Sequence, residues 1–170
     1  MGNNKSTKTQ GEDKVFGKSI FFFYKALLFG LSAYLVIPRA EFKKFFIFGF
    51  FFGGIGDIIV IVILSNLNLI AYKNMGPFSI WGLFSFWTPI AWLFAFMLFF
   101  YFLPVRKKFF YPYILGFALF AHMVGLVLEK LGLYQYMGTY IYYAPIVFII
   151  WFSLAAYVYL KSGRISLNSN

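Results

Sequence analysis

Four ionisable residues stand inside otherwise apolar runs of this chain: Lys25, Asp57, His122 and Glu129. Acids and bases are rare in hydrocarbon because a lone charge at mid-helix costs roughly 3 kcal/mol or more. They persist where they pair, line a cavity or hold a ligand. The helix rise places three of them near one depth. Asp57 lies about 20 Å from Lys44, His122 about 21 Å from Lys108, and Lys25 about 21 Å from Arg39. Trp92 lies at about the same rise from Arg106. A shared layer predicts that Lys25 and Asp57 approach each other inside a bundle, with His122 nearby and Trp87 and Trp92 lining the site. The competing reading is that Lys25 snorkels to the interface and Asp57 stays protonated or bonds to backbone.

Glu129 completes a stripe with Ala118, His122 and Gly125 at helical spacings of four, three and four. It lies about 31 Å above the basic loops, level with Ser65, Asn66 and Asn68, where it would face a wet vestibule. Gly49-x-x-x-Gly53 is a close-packing motif, and one further four-residue step reaches Asp57. Gly49, Gly53, Ala118 and Gly125 are therefore the expected helix-packing positions.

Asp57, His122 and Glu129 barely reach the number of ligands that a metal needs, and no close histidine pair exists. The expectation is no metal and no cofactor. No phosphate-cradling loop, serine elbow or zincin motif occurs, and no nucleophile is singled out, so catalytic residues stay unknown. The absence of cysteine excludes disulfides, thiolate metal sites and cysteine nucleophiles.

The elements that must position these residues are membrane helices. The chain has 170 residues, 62% hydrophobic and 12% charged. Soluble domains carry about 25% charged residues. Five apolar stretches are read as spans, at residues 19–37, 45–69, 78–103, 112–130 and 140–160. The third contains Pro89 and is expected to be one long helix kinked there, because membrane helices tolerate such a break. The alternative, a helix starting near Thr88, leaves about 15 residues, short of the roughly 20 that a span needs. The predicted fold is thus an all-α, polytopic transmembrane bundle of five spans. Residues 1–18 are expected to form a disordered basic tail, residues 19–160 the transmembrane domain and residues 161–170 a polar tail.

The net charge of +10 sits beside the spans, where Lys and Arg set orientation and meet anionic headgroups. The expected partner is the bilayer and not nucleic acid. Arg39, Lys43, Lys44, Arg106, Lys107, Lys108, Lys161 and Arg164 fall on one side, which favours a cytoplasmic face there and an N-terminus outside. The basic tail with Lys5, Lys8, Lys14 and Lys18 argues the other way. Gly2 also fits the N-myristoylation pattern, which would place the tail inside.

Gly56-Asp57, Pro89, Leu103-Pro104, Leu128-Glu129, Gly132-Leu133-Tyr134 and the final aromatic span resemble a family of small five-span membrane proteins. That family occurs in Gram-positive, spore-forming bacteria. The resemblance covers residues 20–160 and implies a cell-membrane location and this architecture. The family has no assigned activity. The long polar N-terminal tail and the glycine run before Asp57 depart from it. Gly138-Thr139-Tyr140 is faintly similar to a segment of integral-membrane carotenoid and isoprenoid enzymes, whose paired acidic signatures are missing here. Three functional classes stay open. The first is binding or passage of a small hydrophobic molecule or ion at the intramembrane polar site. The second is an isoprenoid- or lipid-modifying enzyme. The third is a structural or sensory subunit.

Overall fold

The computed structural model describes residues 6–163. The chain is mostly helical. Helix α1 (Ser6–Val36) ends at the Ile37-Pro38 link, where proline removes the N–H that a continuing helix needs. Helices α2 (Arg39–Gly49) and α3 (Gly56–Asn66) form one continuous rod, joined by a π-helical turn at Phe50–Ile55. Helix α4 (Trp87–Tyr101) follows, then α5 (Lys107–Lys130) and α6 (Tyr140–Ser162).

Ring and backbone contacts fix the directions. Phe23 meets Trp87 and Gly30 meets Phe94, so α1 and α4 run parallel. Phe96 stacks on Phe152 and Phe100 lies beside Tyr159, so α6 runs with them. Phe45 meets Tyr101, and Tyr113 stacks on Phe99; the α2–α3 rod and α5 run the opposite way. Helix α4 is the central post. Ala91, Leu93, Ala95, Phe96, Met97, Phe99 and Phe100 are all buried by surrounding helices.

Among the described residues, four helical segments are long and apolar enough to cross a membrane: Gly17–Val36, Arg39–Asn66, Lys107–Lys130 and Tyr140–Ser162. Large apolar side chains such as Leu28, Leu35, Met123, Ile150 and Tyr157 point outward from them and stay more than half exposed. In water so much exposed apolar surface marks an interaction face. Around a helical bundle it is the face expected against acyl chains, and these helices are compatible with a multi-pass membrane protein.

Two expectations are corrected. The long third helix kinked at Pro89 does not form: α4 begins at Trp87, so Pro89 sits in its first turn, where its missing N–H costs nothing. The preceding residues are a 3-10 turn (Gly76–Phe78) and a hairpin of β2 (Ser79–Ile80) with β3 (Phe84–Ser85). The fold is not purely helical, because β1 (Ile70–Tyr72) also pairs antiparallel with β4 (Tyr134–Tyr136), Ile70 opposite Tyr136. This ladder ties the end of α3 to the end of α5. Helix α1 itself starts at Ser6. Gly2 and residues 164–170 lie outside the described residues.

Candidate functional site

Lys25 on α1 and Asp57 on α3 face one cavity of about 50 Å³, which Trp92 of α4 and Gly125 of α5 also line. A second cavity of about 40 Å³ adjoins Asp57 and Trp92 on the α6 side, against Trp151 and Phe152. The two groups brought together are not bonded to each other: Lys25 Nζ and Asp57 Oδ2 are both buried, and neither has a hydrogen-bond partner. The ammonium lies 5.9 Å from the ring centres of both Phe22 and Trp92. That is about the outer range of a cation–π attraction. Lysine is therefore seated on aromatic faces and leaves a carboxyl oxygen open to the cavity.

The glycines explain how α2 and the π turn come so close to α4. A Cβ on Gly49 would stand 2.6 Å from the Leu93 carbonyl, and one on Gly53 would collide with the Trp92 carbonyl. Only residues without side chains let the rod press its backbone onto α4 here. Ala118 is fully buried in the core. Gly125 serves a different purpose: a Cβ there would strike the Tyr136 hydroxyl, so the glycine seats a tyrosine and not a helix.

Tyr136 also collects the two remaining ionisable residues. His122 Nδ1 lies 3.3 Å from its hydroxyl, and Glu129 accepts its backbone N–H through Oε1 at 3.1 Å. His122 and Glu129 thus brace β4 from α5, and neither lines the cavity. Trp87 stands outside it too, packed edge-on against Phe23 at 4.9 Å, with its indole nitrogen buried and unpartnered. Among the described residues no three His, Asp or Glu side chains gather as a metal would require.

The sequence pattern missed the roof of the site. Tyr72, Tyr134, Tyr136 and Tyr140 line the cavity from the side away from the basic loops. The rings of Tyr72 and Tyr134 lie 5.1 Å apart, and those of Tyr134 and Tyr136 4.8 Å apart. Burial is the main cause that raises the Tyr72 phenol well above its usual range, with Asp57 and Tyr136 adding to it. Burial likewise raises Tyr134 and Tyr136. All three stay protonated donors at neutral pH. The available signal was the alternation Tyr134-Gln135-Tyr136 between Gly132 and Gly138, the period-2 pattern of a short strand bounded by turn residues.

On the other flank of Lys25, α1 and α5 diverge. They leave an open apolar groove of about 420 Å³, lined by residues such as Phe21, Tyr24, Leu28, Phe120, Met123 and Val127. The chain matches no family model, no curated protein and no solved structure.

Proposed function

We propose that this is an integral membrane protein of five crossings that binds a small ion, or a proton carried on water, at Asp57 in competition with Lys25. The observation that carries the reading is the pair of buried, unpartnered groups of opposite type on one cavity. A purely structural pair would be expected to close, because separated charges keep their desolvation cost and forgo their attraction. A water needs about 10–15 Å³ of such space, so the cavity has room for a few waters or one ion with part of its shell. Lys25 has a second seat on Phe22 and Trp92, so it can yield the carboxyl without leaving the bundle.

In this reading α4 is the fifth crossing. Its 15 residues rise about 22 Å, and the turn and hairpin before it supply the remaining depth. The basic end carrying Arg39, Lys43, Lys44, Arg106 and Lys161 faces the cytoplasm, with the N-terminus outside and the cell membrane as the location. A second reading, that a small hydrophobic molecule enters the site, is favoured by one observation: Lys25 lines both the polar cavity and the apolar groove.

The test is thermal unfolding in detergent against sodium, potassium, lithium and pH, with choline as the ionic-strength control. A ligand that binds the folded state at about a hundred times its Kd adds about 2.7 kcal/mol. The expected result is a cation- or pH-dependent rise in Tm that Asp57→Asn abolishes while the fold persists. No dependence in the wild type sinks the ion reading, and failure of Asp57→Asn to fold assigns the residue a structural role.

A further inference from the structure

The groove between α1 and α5 has two unlike ends. Towards the basic loops it is closed by the edge-on ring pair Phe29–Phe120, with centres 6.1 Å apart. Its other end opens beside lysines. Lys18 lies one helical turn from Phe21 on the same face of α1. Its ammonium reaches Gly132, within 3.6 Å of where a Cβ would stand there, and Gly132 directly follows Leu131 of the groove wall. Lys73 is held at the same end, because its N–H donates to the Leu133 carbonyl at 2.9 Å. Lys130 precedes Leu131. Lys18, Lys73 and Lys130 are all exposed. The neighbouring acid, Glu129, is turned onto the Tyr136 N–H.

We infer that this groove is a seat for an anionic phospholipid, one acyl chain lying between α1 and α5 and the phosphate headgroup among Lys18, Lys73 and Lys130. Three features fit that occupant. The wall from Phe120 to Leu131 rises about 16 Å, close to half of a hydrocarbon core of about 30 Å. That is one leaflet, so a lipid entering from the lysine end meets the closed end at mid-bilayer. The volume of about 420 Å³ falls in the range of ligand sites, and the walls are almost wholly apolar. The lysine rim complements a phosphate, since clustered lysines at a membrane surface attract anionic headgroups by charge. The seat borders the ion site at Lys25, but its recognition elements are the rim lysines and the outward-facing walls of α1 and α5.

The test is native mass spectrometry of delipidated protein titrated with phosphatidylglycerol, phosphatidylcholine or soluble glycerol phosphate. Phosphatidylglycerol should bind in preference to phosphatidylcholine, and glycerol phosphate should not compete. The triple variant Lys18→Gln, Lys73→Gln, Lys130→Gln should bind it about a hundredfold more weakly. Met123→Trp, at an exposed position on the groove wall, should block both phospholipids. Equal binding of the two phospholipids, survival of binding in Met123→Trp, or competition by glycerol phosphate overturns the proposal. The wild type gives a second arm free of folding effects. Lipid retained through detergent exchange should be enriched in phosphatidylglycerol over the bulk membrane, and no enrichment likewise overturns it.

Discussion

The end of the bundle beside Arg39, Arg106 and Lys161 is packed solid, whereas the end beneath the β1–β4 ladder is built around gaps. In the first, Phe45, Phe99, Phe100, Tyr101 and Tyr159 pack together, with the Phe45–Tyr101 ring centres 5.6 Å and the Phe100–Tyr159 ring centres 5.0 Å apart. The Tyr113 hydroxyl there donates to the Phe99 carbonyl at 2.7 Å. In the second, two cavities adjoin Asp57, and Ser65, Ser85, Trp87 and Thr88 join Lys25 and Asp57 as buried polar groups without partners. Close packing and satisfied polar groups are where stability is stored. Unpaired buried groups work against it, and a fold keeps them where they do something else.

That contrast can be broken most severely in the solid end. Phe99→Ala empties a fully buried ring site and should cost about 4 kcal/mol in SDS-induced unfolding followed by circular dichroism. Gly53→Ala comes next. It drives a methyl group into the α4 backbone and should cost about 3 kcal/mol, read by the same unfolding and by loss of a monodisperse elution peak. The gapped end should respond with the opposite sign. Replacing both members of the polar pair, Lys25→Met with Asp57→Leu, should raise stability by about 2 kcal/mol while removing any cation-dependent shift in Tm. The smallest effect is expected at Thr88→Val, where deleting a buried, unpartnered hydroxyl should gain about 0.5 kcal/mol. A loss at either of these last two sites would mean that both ends are built on the same terms.

Much of the solid end could be read from residue order. The long apolar runs place the four spanning segments, and the four-residue glycine step falls on the face that meets α4. In the gapped end the depth was legible: the rise arithmetic from the basic loops puts Lys25, Asp57 and Trp92 at one level, and all three line one cavity. The gapped end was harder because it depends on backbone geometry that composition hides. Residues 78–86 are as apolar as the helix after them, yet they turn back on themselves. Trp81 and Gly82 both take positive φ, +50° and +73°, in a tight hairpin turn. Such turns announce themselves through Asn-Gly or Asp-Gly, and a tryptophan in the left-handed region gives no such notice. The π turn at Phe50–Ile55 is hidden in the same way, among glycines that read as ordinary helix packing. The spacing put His122 near Lys25 and Asp57, but it could not say that Tyr136 would take it up instead.

The ladder between β1 and β4 has a mechanical consequence. It laces together the upper tips of two rods that are otherwise separate in the chain, so neither can slide along its axis without unzipping backbone bonds. Among the described residues α1 takes no part in strand pairing, and a short Ile37-Pro38 elbow joins it to α2. What holds α1 to that frame is side-chain packing along α4, with Phe23 edge-on to Trp87 and Phe94 filling the space beside Gly30.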